Sequence, residues 1–232
     1  MFRPFAYLRD LFYPPVCAGC GKPLDKTGTL VCGDCIDSFE LTEHAMKRGN
    51  KVEQLFEDIK KVSSAAAFAY YDDDSALRRT IHSLKYGRQP QIGKWLGQIA
   101  ATEMLRQNPL WFSEVDAIVP VPLHPKKFRL RGYNQSEEIA LGVAEVIGRP
   151  VVPDALRKVV DNATQTQMTI EQRRLNSQNV FEAHNTLPLR GKRILLIDDV
   201  VTTGSTLRDC IRCLTPLRGT TIQVMTIAVP RK

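Results

Sequence analysis

The sequence predicts an α/β protein in which a small cysteine-rich module precedes a parallel sheet flanked by helices. From Ala65 onward, short apolar segments typical of buried strands alternate with segments of helical periodicity, and parallel strands need such helical crossovers between them. Ahead of this region lie two closely spaced Cys-x-x-Cys pairs. The 232 residues are enough for one full domain and a small additional module.

The composition excludes several classes of protein. A hydrophobic fraction of 43% and a charged fraction of 25% are ordinary for a globular protein and exclude collagen, coiled-coil and wholly disordered chains. No apolar run approaches the roughly 18 residues that a membrane helix needs. Residues 1–15 have the amphipathic spacing of a short helix, not the continuous apolar block of a secretory signal. We therefore expect a cytoplasmic protein with no membrane span.

The net charge of +7 lies in the larger part of the chain. Residues 1–64 hold nine basic and nine acidic side chains, whereas residues 65–232 hold 23 and 16. A basic surface attracts the phosphates of a small molecule or of a nucleic acid. Solubility alone explains this modest surplus equally well.

Four cysteines near the N-terminus have the pattern of a structural zinc site. Eleven residues separate the two pairs, and glycines lie beside or within both, so the backbone can turn and bring four thiolates to one point. A redox function would not explain two pairs, and disulfides are not expected without a secretory signal. Such a site leaves no open position for catalysis. The predicted zinc ligands are Cys17, Cys20, Cys32 and Cys35.

A third pair, Cys210 and Cys213, has a different setting. It lies at helical spacing with Leu207, Ile211 and Leu214. We expect these two cysteines to pack as small apolar residues on a helix and not to bind metal.

The predicted organisation has three parts: an N-terminal helix and zinc module over residues 1–40, a linker or helix over 41–64, and the α/β domain over 65–232. Residues 161–178 lack periodicity and are predicted to form a long polar loop. Predicted strands cover Ala65–Tyr71, Asp116–Val121, Val151–Val160, Arg193–Asp198 and Thr221–Val229. Predicted helices cover Ser75–Tyr86, Pro90–Gln107, Ser136–Ile147 and Ser205–Leu217.

The segment Ile194–Thr206, I-L-L-I-D-D-V-V-T-T-G-S-T, has the features of a phosphate-binding loop. An apolar strand ends in two carboxylates, Asp198 and Asp199, and ligands bind at the carboxyl ends of parallel strands. Free N–H groups at the start of the following helix suit a phosphate. Helix capping explains one such polar residue, but not two carboxylates and four hydroxyls. The loop residues are Thr202, Thr203, Gly204, Ser205 and Thr206.

This run resembles the phosphoribosyl pyrophosphate (PRPP) signature of type I phosphoribosyltransferases at every position. The resemblance implies that Asp198 and Asp199 contact the ribose hydroxyls, close to a Mg²⁺ carried by PRPP. It also implies that the Thr202–Thr206 loop surrounds the 5-phosphate. The expected fold is then a type I phosphoribosyltransferase-like parallel sheet behind a zinc-binding module.

Other segments resemble the ComF family, also called the competence protein F or GntX group. They are Pro120–Gln135, Ile81–Tyr86, Thr164–Gln167 and Arg173–Phe181, in addition to the four cysteines. The likeness spans nearly the whole chain. It implies a link to DNA uptake in natural transformation, with single-stranded DNA and the competence helicase machinery as partners.

A basic segment with aromatic residues is predicted to be a loop after the strand Asp116–Val121. Its cations would stabilise a leaving pyrophosphate, or they would bind the backbone of single-stranded DNA while Phe128 and Tyr133 stack on bases. A solvated charged loop is the bland alternative. The cations are Lys126, Lys127, Arg129 and Arg131, with Lys85 assigned to the same pocket. Weaker candidates for ligand contacts are Arg88, His82, His124, Arg173 and Arg174.

Three hypotheses for function remain open. The first is a phosphoribosyltransferase that transfers the sugar of PRPP to a nitrogen nucleophile. The second is a competence factor that binds single-stranded DNA. The third is a PRPP sensor without catalysis, because a fold does not determine a function. The acceptor is not identified by any residue, and a glutamine-using amidotransferase would need an additional domain.

Overall fold

The computed structural model describes residues 15–24, 28–160 and 180–231. The predicted N-terminal helix, the segment Thr164–Gln167, Arg173 and Arg174 therefore lie outside the described residues. Among the residues described, no helix combines the length and the apolar character needed to cross a membrane.

The described elements follow the predicted alternation of strands and helices. The strands are β1 (Glu40–Leu41), β2 (Val62–Tyr71), β3 (Ala117–Pro120), β4 (Leu156–Lys158), β5 (Phe181–Ala183), β6 (Arg193–Val200) and β7 (Thr221–Pro230). The helices are α1 (Gly33–Asp37), α2 (Lys51–Gln54), α3 (Ala76–Tyr86), α4 (Pro90–Gln107), α5 (Pro125–Arg131), α6 (Gln135–Ile147) and α7 (Ser205–Leu214). A 3₁₀ turn covers Leu187–Leu189.

The main sheet has the strand order β1-β2-β7-β6-β3. All neighbours are parallel except β1, which pairs antiparallel with β2 at one edge. β4 and β5 form a separate antiparallel pair. β6 lies inside the sheet, between β7 and β3. Asp198, near its carboxyl end, is in register with Thr226 of β7. The predicted α/β fold class is confirmed.

Two hydrophobic clusters cover opposite faces of the sheet, because successive side chains of a strand point to opposite sides. Leu195 and Ile197 of β6 pack in the cluster formed with α3, α4, α6 and the cysteine module. Ile194 and Leu196 pack in the cluster formed with α2, α7 and the β4–β5 pair. The continuous apolar segments predicted as strands are therefore buried on both faces, as expected for a parallel sheet.

The basic segment differs from the prediction, because it forms helix α5 instead of a loop. His124 caps the helix by accepting from the N–H of Lys126, and Pro125 occupies its first turn. Gly132 ends it in the left-handed region with φ +88. These are ordinary start and stop signals of a helix. The prediction of a loop was based on the cations of the segment and not on these signals.

Other boundaries also differ from the prediction. The strand expected over Val151–Val160 is reduced to β4, and α7 ends at Leu214 instead of Leu217. Between the cysteine module and β2, the structure places β1 on the edge of the sheet. Val52 and Phe56, from the same segment, are buried in the hydrophobic cluster that includes Ala65 and Ala67 of β2. The three-part division of the chain stays a prediction.

Glycines allow the backbones of α4 and α6 to pack directly against each other. A Cβ atom added at Gly97 would lie 2.1 Å from the carbonyl oxygen of Ile139, and one added at Gly142 would lie 2.0 Å from that of Lys94. Both contacts are with backbone atoms, which cannot rotate away. α6 carries the side chain of Ser136 toward Asp198, so this close packing also positions the candidate site.

We predict that Gly97→Ala lowers the free energy of unfolding by about 2–3 kcal/mol, because the two helices must separate to admit the methyl group. Urea unfolding followed by circular dichroism measures the change. Thr102→Ala is the control, since Thr102 is exposed on the same helix. Equal stability of the two variants would contradict the prediction.

Candidate functional site

The β6–α7 junction lies at the carboxyl edge of the sheet, where the sequence places the phosphate-binding loop. Residues Asp198 and Val200–Leu207 line a small cleft there. Gly204 is the N-cap of α7 with φ +74, and it provides no side-chain cap. The helices α2, α3, α5 and α6 each begin with a side chain that accepts from a first-turn N–H group, whereas α1 and α4 also lack such a cap. The start of α7 therefore has the donors and the dipole that attract an anion.

Asp198 is a buried carboxylate with donors on two sides. Its Oδ1 accepts from Ser136 Oγ at 2.8 Å and from the backbone N–H of Asp199 at 2.9 Å. Burial is the main cause that raises the pKa of Asp198 to about 7, and the charge of Asp199 adds to it. Near neutral pH this carboxyl group therefore exists in both protonation states.

Asp199 is paired with a cation from a distant part of the chain. Lys85 Nζ, at the end of α3, lies 2.8 Å from Asp199 Oδ2. Burial alone would lower the pKa of Lys85, but the carboxylates of Asp199 and Asp198 outweigh it and raise that pKa. The structure thus brings Lys85 into contact with Asp199, and the charge of Asp198 also acts on its ammonium group.

The cations of α5 lie on a helix that is exposed along its length. Residues 125–130 are all exposed, and Arg131 is half-buried. The guanidinium of Arg131 lies over the ring of Tyr86, 5.8 Å from its centre, and the hydroxyl of Tyr133 donates to Leu84 O. α5 is therefore tied to the end of α3 that carries Lys85. The other basic residues of α5 are Lys126, Lys127 and Arg129.

Three of the weaker candidates, His82, His124 and Arg88, lie within the described residues. The ring of His82 lies 4.6 Å from that of Tyr86. His124 caps α5, which is a structural task. Arg88 is exposed with φ +54 in the turn between α3 and α4.

Sequence reasoning missed several residues that complete the site. Ser136 lies 62 positions from its partner Asp198, and nothing local in the sequence indicates that pairing. Thr226, in register with Asp198, is fully buried, and its Oγ1 has no hydrogen-bond partner within the described part of the chain. Phe56 lies behind the loop, 3.4 Å from the position of a Cβ added at Gly204.

The four N-terminal cysteines form one cluster. Their sulfur atoms all lie within 4.8 Å of one another, and those of Cys20 and Cys32 are 3.8 Å apart. Sulfurs at about 2.3 Å from a tetrahedral zinc ion would be separated by about 3.8 Å. Cys17 Sγ also accepts from the N–H groups of Gly19 and Cys32, as thiolate ligands do. The cluster therefore fits a zinc ion.

Cys210 and Cys213 lie apart from this cluster. Cys210 is fully buried on α7, and the thiol of Cys213 donates to Phe181 O at 3.2 Å. Burial raises the pKa of both thiols. They pack as apolar residues between α7 and β5, as expected.

The comparisons with known proteins agree with this geometry. The model of the phosphoribosyl transferase domain matches residues 130–232, which include β6 and α7. Competence protein F of Haemophilus influenzae is 30% identical over 219 residues, which cover 92% of this chain and 90% of that protein. This chain belongs to the competence protein F (ComF) family. The family resemblance predicted from the sequence is confirmed.

Further relatives of this ComF chain come from other bacteria. Competence protein ComFC of Bacillus subtilis is 26% identical over 86% of this chain and 71% of its own length. DNA utilization protein YhgH of Escherichia coli K12 is 30% identical over 64% of this chain and 65% of its own. Among solved structures, the glutamine PRPP amidotransferase from B. subtilis is 23% identical over 62% of this chain and 26% of its own, with a TM-score of 0.37.

We predict that Asp198→Asn stabilises the protein, and more so at high pH. The pKa of this residue rises from about 3.9 in the unfolded chain to about 7 in the folded chain. Folded wild type therefore loses stability as pH rises between these values, by at most about 4 kcal/mol. The amide carries no such penalty, and its oxygen still accepts from Ser136.

Urea unfolding at pH 5 and pH 8 measures this effect. The stability gained by Asp198→Asn is expected to be larger at pH 8 by about 1–3 kcal/mol. Asp73→Asn, at a side chain that is 91% exposed, is the control and is expected to show no such growth. If the free energies of unfolding of Asp198→Asn and wild type differ by the same amount at both pH values, the raised pKa of Asp198 is contradicted.

Proposed function

We propose that this chain binds PRPP with Mg²⁺ at the β6–α7 junction. One observation carries the proposal: the uncapped start of α7 directly follows two adjacent carboxylates, within the part of the chain that the phosphoribosyl transferase domain matches. A phosphate needs donors and positive potential, and a ribose diol needs acceptors. This junction offers both, a few residues apart.

Each part of the ligand has matching residues. The 5-phosphate accepts from the N–H groups and hydroxyls of residues 202–206, and the ribose hydroxyls donate to Asp198 and Asp199. The pyrophosphate lies toward Lys85 and the basic residues of α5, whose charges complement it. Mg²⁺ carried by the pyrophosphate would neutralise part of its charge beside the two carboxylates.

The same arrangement supports transfer of the phosphoribosyl group. As a nitrogen nucleophile forms a bond with C1 of the sugar, the bond from C1 to the pyrophosphate oxygen breaks and negative charge develops on pyrophosphate. Lys85 and the α5 cations stabilise that charge, so catalysis depends on positioning and electrostatics. A PRPP sensor would use the same pocket without turnover, and release of pyrophosphate distinguishes the two.

The family also provides a cellular context. The H. influenzae relative is named as a competence protein, and we propose that this chain acts in the cytoplasm during DNA uptake, alongside the competence helicase machinery. The four cysteines would hold Zn²⁺ as a structural ion, because four thiolates fill its tetrahedral shell.

The first test is calorimetric titration of PRPP with Mg²⁺ into the zinc-loaded protein. We expect wild type to bind and the double variant Asp198→Asn/Asp199→Asn to bind about 100-fold more weakly, since amides accept from the ribose hydroxyls more weakly than carboxylates do. The control is Asp73→Asn/Asp74→Asn, which removes two exposed carboxylates from the turn before α3. No binding by folded wild type would reject the proposal.

A second function is favoured by the exposure of α5. This helix buries none of its residues, and it presents Phe128 and Leu130 between its cations. Helices of folded domains usually bury one face, so such a surface is suited to a large polyanion. We propose that α5 also contacts single-stranded DNA, with phosphates on the cations and bases on the Phe128 ring.

For this second function we predict that Lys127→Gln/Arg129→Gln weakens binding of a labelled oligonucleotide. The negative slope of log affinity against log salt concentration is expected to become less steep by about 1.4, because two phosphate contacts are lost. Fluorescence anisotropy measures both quantities. The control is Arg149→Gln/Arg190→Gln, which removes two exposed cations elsewhere. Equal effects of the two variants would exclude α5 as the contact surface.

A further inference from the structure

We propose that the cysteine module regulates the PRPP site by positioning Lys85, and that Arg79 is the positioning residue through which it acts. Zinc binding and PRPP binding would then be coupled. This inference depends on the proposed function for its ligand. The positioning of Lys85 by the cysteine module does not depend on the ligand. It depends on helix α3, which contacts the cysteine loop through Arg79 and Ser83 and contacts Asp199 through Lys85.

The first contact joins Arg79 to the backbone between two ligand cysteines. Arg79 Nε donates to the carbonyl oxygen of Gly19, and its Nη1 donates to Asp74 O at 2.6 Å. Gly19 lies between Cys17 and Cys20, and its own N–H donates to Cys17 Sγ at 3.3 Å. The same peptide segment is thus held by a ligand sulfur on one side and by α3 on the other.

A second contact lies one helical turn further along α3. Ser83 Oγ donates to Ala18 O at 3.2 Å. Residues four apart share one face of a helix, so Arg79 and Ser83 hold consecutive carbonyl groups of the cysteine loop. A Cβ added at Gly19 would lie 2.9 Å from Cys35 Sγ and 3.4 Å from Thr80 Oγ1. The loop therefore lies directly against the helix.

Apolar packing continues the connection toward the site. Cys17 and Cys35 are buried in the same cluster as Leu77, Ile81 and Leu84 of α3. Lys85 follows at once, and its ammonium group lies 2.8 Å from Asp199. A shift of α3 relative to the sheet would therefore move Lys85 relative to the carboxylates.

Such an arrangement makes the two binding events reciprocal. Without a metal ion, no bond holds the four sulfur atoms at one point, and the loop of Ala18 and Gly19 would then lose the geometry that accepts from α3. If zinc favours the position of α3 that binds PRPP, then PRPP must increase zinc affinity by the same factor. Couplings of this kind amount to about 5–150-fold.

The test compares two adjacent arginines of one helix. Arg79→Gln removes the contact with Gly19, whereas Arg78→Gln removes a contact with Asp73 that does not involve the cysteine module. Zinc content is measured for each variant, with one ion per chain expected. By calorimetry, we expect Arg79→Gln to bind PRPP with Mg²⁺ at least fivefold more weakly than wild type, and Arg78→Gln to bind within twofold.

Zinc release to a chromogenic chelator tests the reciprocal effect. PRPP with excess Mg²⁺ should slow release from wild type by at least fivefold and should leave release from Arg79→Gln unchanged. The variant Asp198→Asn/Asp199→Asn shows whether PRPP acts on the chelator itself. A merely structural role for Arg79 would lower thermal stability without removing the dependence of zinc release on PRPP.

Amide hydrogen exchange tests the positioning of α3 without PRPP. Exchange at residues 84–87 should accelerate in Arg79→Gln but not in Arg78→Gln. If wild type fails to bind PRPP, the proposed function is rejected. Independently of that result, unchanged exchange at residues 84–87 in Arg79→Gln would overturn the positioning of α3 by the cysteine module. If wild type binds, equal affinity of the two arginine variants or PRPP-independent zinc release would overturn the coupling.

Discussion

Two adjacent carboxylates at the end of an interior strand are the constraint on which the rest of the site depends. Asp198 and Asp199 are almost fully buried, where charge is costly unless it is paired or protonated. Ser136 from α6 and Lys85 from α3 meet this need. Because those partners come from two helices on one face of the sheet, the packing of both helices decides the electrostatic state of the pair.

The proposed ligand carries both phosphates and hydroxyls, and the β6–α7 junction has groups that complement each of them. The acidic pair precedes a helix start at which Gly204 provides no side-chain cap, and Lys85 at the end of α3 contacts Asp199. Lys85 and Asp199 form an ion pair between these cations and the carboxylates. Under the proposed function, binding of the ligand would stabilise the folded protein.

The site is supported from two sides by segments that precede β2 in the chain. The cysteine module holds α3 through Arg79 and Ser83. On the opposite face, Arg208 of α7 donates to Leu55 O and pairs with Asp58. The first contacts lie on the helix that carries Lys85, and the second contacts lie on the helix that follows residues 202–204.

The sequence by itself determined the features whose chemistry is local: the strand and helix periodicity, the spacing of the four cysteines, and the run from Ile194 to Thr206. It predicted α5 as a loop, because its capping residues were less conspicuous than its charges. Only the tertiary structure decided that Lys85 pairs with Asp199, that Ser136 donates to Asp198 and that Arg79 holds Gly19. Those contacts join residues far apart in the chain, and their distances depend on how closely whole helices pack against the sheet.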